Sequence, residues 1–256
     1  MTADDAEPET AVPGGSLSIR EPPRVLIPVE VLTGQTIPQS LVEFLSPAEI
    51  VVLGYHVLPE QTPTEQASMQ FGDQARAAVD DIAQTFVAAG REVETRVAFT
   101  HDRDKTLDRV AAEVNATAVL LPNPTGAISD VLVPVGGSID VDRLADLVAT
   151  LLNESDGRAT LWAMVGGSDA DEATAALDDA KSTLRERGLP GERIRTETSE
   201  AGASAHAIVD QSGEFDVIVM GEGEHTLLTT VIGDTTERIA EGAVAPVLVV
   251  RRQTDD

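Results

Sequence analysis

The sequence predicts an α/β protein made of two tandem, open, parallel-sheet units, of which the first is incomplete. Two observations lead to this prediction. Short, strongly apolar runs alternate along the chain with longer amphipathic stretches, as expected for strands that helices cover on both faces of a sheet. The run VLIPV that begins at Val25 returns as VLVPV at Val131, so the pattern repeats after 106 residues.

The first copy contains continuous branched apolar runs, typical of buried strands, and stretches with helical spacing. In its longest amphipathic stretch, apolar residues recur four positions apart and Gly90 stands at the stop position of a helix. The predicted elements of this copy are strands over 24–29, 50–58, 92–99 and 117–121, and helices over 74–89 and 104–114.

The second copy restarts the same order. Asp140 precedes a stripe of leucine and valine residues, which predicts a helix with an aspartate cap. The predicted elements are strands over 131–135, 160–165, 192–199, 216–220 and 246–250, and helices over 141–151, 173–184, 201–211 and 235–241.

The two copies differ at their ends. In the second copy, 25 residues separate Met220 from Pro246, which is enough for a loop, a helix and a final strand. In the first copy only nine residues separate Leu121 from Val131, so these last elements are missing and the unit should need its neighbour. The predicted organisation is a flexible acidic tail (1–22), a degenerate first domain (23–128), a second domain (129–252) and a short tail (253–256).

The charge balance excludes several classes of function. The chain has 44 Asp and Glu against 18 Lys and Arg, a net charge of −26, and 42% hydrophobic residues, so it is acidic without being disordered. It lacks the basic surface of a nucleic-acid binder and would be repelled by anionic membranes. The absence of cysteine excludes disulfides, a thiol nucleophile and a cysteine zinc site.

Lysine is almost absent, since only Lys105 and Lys181 are lysine. Abundant carboxylates with so little lysine favour a protein from a salt-accumulating organism, such as a halophilic archaeon, over an ordinary acidic mesophilic protein. No apolar run approaches the ~20 residues of a spanning helix, and the N-terminus lacks the features of a signal peptide. We therefore expect a cytoplasmic protein without membrane insertion.

In an open parallel sheet, ligands bind beyond the carboxyl ends of the strands, where the strand order reverses. The candidate site of the second copy therefore combines the ends of the strands over 131–135 and 160–165 with the loop after 216–220. The order VLVPV, DVIVMGEG, IGDTTERI and APVLVV resembles the universal stress protein family in its tandem form, well over 131–251 and more weakly over 24–121.

The resemblance implies an adenine-nucleotide alpha hydrolase-like, Rossmann-like sheet. ATP-binding members carry Gly-x-x-Gly, nine residues, then Gly-Ser or Gly-Thr, together with an Asp after the first strand. Backbone amides of the loop and of a helix N-terminus would hold the phosphates. The candidate nucleotide-binding residues are Val135, Gly136, Val165, Gly221, Gly223, His225, Gly233, Asp234 and Thr235.

The sequence departs from this pattern in ways that disfavour ATP. The glycine pair Gly221 and Gly223 is one residue short, Asp234 replaces the Ser or Thr, and Gly136 replaces the Asp. Asp234 and Glu237 form a capping box that would satisfy the free amides of the last helix. Further carboxylates stand beside the loop at Glu222 and Glu224, and the first copy has Glu30 but no phosphate loop. We therefore expect no cofactor, with Mg-ATP as the alternative.

Other chemistry finds little support. The sequence has no P-loop, no dinucleotide fingerprint and no nucleophile elbow, and its four histidines lack metal-ligand spacing. Trp162 lies within a predicted strand and should pack in the core. Three acidic pairs stand at strand-to-helix turns, where capping is favoured over cation binding. These pairs are Asp102 and Asp104, Asp140 and Asp142, and Asp169 and Asp171.

These observations favour a non-catalytic, cytoplasmic stress-response protein that acts through protein contacts. The alternatives are an ATP- or AMP-binding sensor with weak hydrolysis and an accessory regulator of a membrane transporter, a role that some family members play. The last strand of the family commonly pairs with another unit, in another subunit or domain. The resemblance therefore implies a homodimer through the edge strand Pro246–Val250.

Overall fold

The computed structural model describes residues 22–135, 140–164, 170–199, 205–222, 239 and 242–252. Its helices and strands alternate along the chain, as the sequence predicts. The strands are β1 (Arg24–Glu30), β2 (Glu49–Val57), β3 (Val93–Thr100), β4 (Ala118–Leu121), β5 (Asp130–Val135), β6 (Arg158–Met164), β7 (Ile194–Ser199), β8 (Val217–Gly221) and β9 (Val247–Val250). The helices are α1 (Gln39–Phe44), α2 (Thr64–Ala88), α3 (Arg103–Glu113), α4 (Val141–Leu152), α5 (Ala170–Glu186) and α6 (Ala205–Gln211).

The strands form a single sheet of nine in the order β3-β2-β1-β4-β9-β8-β5-β6-β7. Every neighbouring pair is parallel except β4 and β9. The predicted α/β class with an open, mostly parallel sheet is therefore confirmed. The sheet runs without interruption through both sequence copies.

The antiparallel pair β4–β9 joins the two copies. Ala118 lies opposite Val250 and Leu121 opposite Val247, while the other edge of β9 pairs in parallel with β8. The strand that ends the second copy thus also completes the first, which has no final strand of its own. The prediction that Pro246–Val250 is an open edge for a second chain is wrong, because both edges of β9 are already paired within the chain.

This single antiparallel step sets the direction of the two halves. The carboxyl ends of β1–β4 lie at one edge of the sheet, and those of β5–β9 lie at the opposite edge. The strand order reverses between β1 and β4 in the first copy and between β8 and β5 in the second. The two crevices predicted by this rule therefore lie at opposite edges of the molecule.

Helices cover both faces, and each face has one core to which both copies contribute. On one face, α1, α2, α4 and α5 pack on the sheet, with Phe86 and Leu147 among the fully buried residues. On the other face, α3 packs with α6 and the helical residue Ile239, and Trp162 is buried there as predicted. Shared cores of this kind bind the two copies more closely than a linker between separate domains would.

The segment between β4 and β5 is held to the second copy. The Asn123 side-chain amide donates hydrogen bonds to the carbonyls of Ala243 and Ala245, at 3.1 and 3.2 Å. The Thr125 hydroxyl donates to the Asp216 carbonyl, and the Asp216 carboxylate accepts from the Ser129 amide and hydroxyl. This connection is therefore an ordered part of the structure.

Two helical features differ from the sequence prediction. α1 (Gln39–Phe44) was not expected, since it is only six residues long and buries Leu41, Val42 and Phe44. α2 begins at Thr64, ten residues before the predicted start. The prediction missed these first turns because they bury only the small residues Ala67 and Gly72. Neither α1 nor the start of α2 has in its sequence the long apolar stripe on which a helix prediction depends.

No helix within the described residues has the length and apolar character needed to cross a bilayer.

Candidate functional site

The second copy forms its crevice at the carboxyl ends of β5 and β8. These strands pair in parallel with Val131 opposite Val217 and Leu132 opposite Ile218, so continuing the register places Val135 level with Gly221. Both residues are buried. Two of the predicted nucleotide-binding residues thus lie together where the strand order reverses, which is the position that ligands take in sheets of this kind.

The carboxylate of Glu222, just after β8, is bound to the end of the neighbouring strand. Its Oε2 accepts a hydrogen bond from the Arg252 amide at 3.1 Å, and its own amide donates to the Val250 carbonyl at 2.9 Å. The Arg252 amide therefore holds the carboxylate that the sequence predicts beside a phosphate.

The remaining predicted site residues lie outside the described residues, so the structure does not test them. They are Gly136, Val165, Gly223, His225, Gly233, Asp234 and Thr235.

The acidic turns at the helix starts behave as caps where they are described. Asp140 accepts a hydrogen bond from the Arg143 amide at the start of α4, and Asp102 does the same with the Lys105 amide at the start of α3. The hydrogen bond from the Lys105 side chain, followed by that from its amide, lowers the pKa of Asp102. The third pair begins at Asp169, outside the described residues.

The crevice of the first copy lies at the ends of β1 and β2. Glu30 ends β1 beside Tyr55, its register partner on β2. A Glu30 carboxylate oxygen lies 3.9 Å from His56 Nδ1, a buried atom without a hydrogen-bond partner. β4 ends at Leu121 and leads directly into the ordered connection, so this crevice has the acidic residue of the motif without a loop for phosphates.

Sequence reasoning missed the aromatic side chains around Glu30. The His56 ring packs edge-on against Phe99, with centroids 6.4 Å apart, and the Arg103 guanidinium lies 5.7 Å above the Tyr55 ring. The only signal was their position at strand ends in a chain with few aromatic residues. These contacts pack the carboxyl ends of β2 and β3 and the start of α3 against one another.

An ion pair orders the amino ends of β5 and β6. Arg158 binds Asp130 through Nε and Nη2, and the hydrogen bond from Arg158 lowers the pKa of Asp130, with burial acting in the opposite direction. The same interaction raises the pKa of Arg158. These groups lie at the edge opposite the crevice of the second copy and stabilise the sheet.

Among the described residues, no group of three or more histidine, aspartate and glutamate side chains is placed to hold a metal ion.

Residues 127–251 match the model of the Universal stress protein family. This segment is just under half of the chain and corresponds to the second copy with all of its described strands. No curated protein matches the sequence.

Solved structures share the fold at low sequence identity. A universal stress protein from Archaeoglobus fulgidus is 17% identical, with a TM-score of 0.64 over 91% of this chain and 97% of its own. A putative universal stress protein from Pseudomonas aeruginosa is 13% identical, with a TM-score of 0.53 over 89% and 92%. A structure from Archaeoglobus fulgidus in complex with dAMP is 20% identical over 48% of this chain and 97% of its own, with a TM-score of 0.39.

Proposed function

We propose that the chain is a two-unit universal stress protein that acts as a non-catalytic, cytoplasmic regulator through contacts with other proteins. The family match over 127–251 and the shared fold over most of the chain support the family assignment. The partner would be a regulatory protein or a transporter.

One observation carries the regulatory role. In the first copy, the place of a phosphate loop is taken by a connection whose side chains Asn123, Thr125 and Ser129 bind the second copy. Half of the molecule therefore retains the fold without the means to hold phosphates. A first copy without a phosphate loop contributes surface and stability to the molecule. This is what a protein that acts through contacts with other proteins needs.

The second candidate is a nucleotide sensor, favoured by the hydrogen bond that holds the Glu222 carboxylate at the end of β9. The discriminating experiment is calorimetry of the full chain with Mg-ATP, ADP and cyclic dinucleotides in multimolar KCl. We expect no stabilisation by any of them. Saturable nucleotide binding that is lost in Gly223→Ala or Gly233→Ala would overturn the contact-only proposal.

A genetic arm tests the role itself. A strain that lacks the protein is complemented with wild type or with the Gly223→Ala, Gly233→Ala double variant, and its survival under stress is measured. Equal rescue by both chains is expected if contacts suffice. Rescue by wild type alone, with the variant folded and present at the same level, would show that the loop must bind a ligand.

We also propose that the chain comes from a salt-accumulating organism. At about 0.1 M salt the Debye length is roughly 10 Å, whereas at 1 M it is roughly 3 Å, so the self-repulsion of a chain with net charge −26 is screened only in concentrated salt. Lowering KCl to about 0.1 M should reduce the melting temperature markedly. An unchanged melting temperature would contradict this origin.

A further inference from the structure

β3 forms one end of the sheet, and no other strand of the described residues pairs with its outer edge. It runs from Val93 to Thr100, and each of these residues pairs in regular register with β2. Edge strands are commonly protected by proline, lysine, a bulge or short length, and β3 has none of these. An open edge of this kind is a template for pairing with a strand of another chain.

The backbone of β3 directs alternate donors and acceptors to this edge. The Thr100 carbonyl accepts a hydrogen bond from the Leu58 amide at 2.7 Å, so the backbone groups of Thr100 face β2. Because successive residues of a strand point their backbone groups to opposite sides, every second residue counted back from Thr100 also faces β2. The residues between them point their amides and carbonyls to the open edge. They are Val93, Thr95, Val97 and Phe99.

The two faces of β3 differ in chemistry. One face packs on the core shared with α2, through the half-buried residues Val93, Val97 and Phe99. The other face carries Glu94 and Arg96, whose side chains are 40% and 44% exposed and bind each other through Oε1 and Nε at 2.7 Å. β3 thus offers a partner strand apolar side chains on one face and one charge of each sign on the other.

We propose that two copies of this chain pair through β3, with the strands antiparallel and a twofold axis at Thr95. Thr95 then lies opposite its counterpart and Val93 lies opposite Val97 of the second copy, so the outward backbone groups meet in hydrogen-bonded pairs. Glu94 lies opposite Arg96 of the second copy in the more closely spaced pairs, once on each side of the axis. This contact is isologous and closes after two chains, which share one continuous sheet.

The two charges select this register. An axis at Glu94 would set two carboxylates opposite each other and an axis at Arg96 two guanidinium groups, and like charges in such positions are destabilising. An axis at Val97 would leave both charges opposite uncharged residues. The axis at Thr95 gives each charge an opposite partner.

The other edge strand, β7, provides a matched control. It carries Arg195 and Glu197 two residues apart, but Ile194 is its one apolar residue and residues 195–198 are all exposed. It therefore offers a second copy the same charges without an apolar face to bury. The proposed pairing is specific to β3, and it goes beyond the regulatory contacts proposed above without resting on them.

The first experiment is sedimentation equilibrium of the full chain in multimolar KCl, which screens the repulsion between two chains of net charge −26. We expect a reversible monomer–dimer equilibrium for wild type. Glu94→Arg alone and Arg96→Glu alone each set like charges opposite each other, so each should raise the dimer dissociation constant at least about tenfold. Glu197→Arg and Arg195→Glu, the same changes on β7, should leave it unchanged.

Mixing the two β3 variants tests the register itself. In a heterodimer of a Glu94→Arg chain with an Arg96→Glu chain, opposite charges again face each other at both positions. The mixture should therefore dimerise as wild type does, although neither variant does so alone. A local disturbance of β3 in either variant would not be repaired by mixing.

A cross-link gives an independent measurement, since the chain contains no cysteine. Opposite residues in a hydrogen-bonded antiparallel pair have Cα atoms about 5.5 Å apart, which is within reach of a disulfide. Thr95→Cys should therefore form a covalent dimer under mild oxidation. Thr196→Cys, at an exposed position of β7, should not.

A wild type that stays monomeric at submillimolar concentration would overturn the proposal. So would dimers that persist unchanged in both β3 variants, an equal loss in the β7 variants, or mixed variants that fail to dimerise. If a charge variant does not fold by circular dichroism, the cross-linking decides, and equal cross-linking of Thr95→Cys and Thr196→Cys refutes the pairing. None of these results depends on nucleotide calorimetry or on the rescue of a stressed strain, so this proposal and the proposed function fail separately.

Discussion

At Gly54, the absence of a side chain sets the distance between β2 and α2. A Cβ atom at this position would lie 2.2 Å from Val79 Cγ2 and 2.4 Å from Val31 Cγ1. Both distances are far below van der Waals contact, and both valines are buried with no room to retreat. The glycine therefore serves close packing of a helix on a sheet.

We predict that Gly54→Ala lowers the free energy of unfolding by about 1–3 kcal/mol, because the added methyl group overpacks this contact. Chemical denaturation followed by circular dichroism measures the change. Gly213→Ala is the control, since a Cβ there meets nothing within 4 Å and should change stability by less than about 0.5 kcal/mol. Equal effects of the two substitutions would contradict the packing argument.

The ion pair between Asp130 and Arg158 gives a second prediction at this scale. The folded-state pKa of Asp130 is lowered, so its stabilising effect is complete above the unfolded value of about 3.9 and is lost as the pH falls through the folded pKa. Asp130→Asn should therefore be less stable than wild type at neutral pH, with a difference that shrinks in acid. Denaturation between pH 7 and about pH 2 checks this, with Asp80→Asn, exposed on α2, as control. A difference that does not change with pH would contradict it.

At the scale of the element, the sequence was most informative where periodicity is strong. The predicted strands all occur within the described residues, and the helix after Asp140 begins with the predicted cap. α1 and the first turns of α2 were missed because they bury few or small side chains. The nine-residue connection indicates that the first copy lacks a final strand, and β5 indeed follows β4 in the chain. The sequence does not predict that β9 takes the place of this strand. The partner of β4 is a segment more than a hundred residues away, and no local pattern encodes that pairing.

The candidate site was less accessible to prediction. Strand ends and glycines predict that Val135 and Gly221 lie at the same edge of the sheet, and the register of β5 against β8 places them level with each other. The hydrogen bond between Glu222 and the Arg252 amide could not be foreseen, since it depends on the register of β8 against β9.

β9 supplies the prediction at this scale. Leu248 is fully buried, and it lies opposite Leu120 in the antiparallel pair and opposite Val219 in the parallel pair. Leu248→Ala should lower the free energy of unfolding by about 2–5 kcal/mol through the cavity it leaves in a shared core. Val244→Ala, at a site 69% exposed, should change little. A small effect of Leu248→Ala would mean that β9 is not essential to the sheet.

At the scale of the whole molecule, both faces of the sheet carry a core to which the two copies contribute. Neither copy therefore has a complete set of contacts by itself. The chain should behave as a single cooperative unit in spite of its internal repeat.

The chain contains natural probes for this prediction, since its only tyrosine, Tyr55, lies in the first copy and its only tryptophan, Trp162, in the second. We expect the spectroscopic signals of the two residues to change at the same denaturant concentration in an equilibrium titration, because the copies share one sheet. A matching transition by circular dichroism completes the measurement. Two separate midpoints would show that the copies unfold independently.

Only the second copy has a final strand, β9, and this removes twofold symmetry from the molecule. Two identical subunits joined through equivalent strands must offer the same surface twice, and so bind two copies of any partner. Here the two crevices lie at opposite edges and differ in chemistry, since Glu30 and His56 stand at one and Val135 and Gly221 at the other. Each of these edges therefore occurs once per chain, so a single chain presents the two of them in one fixed orientation.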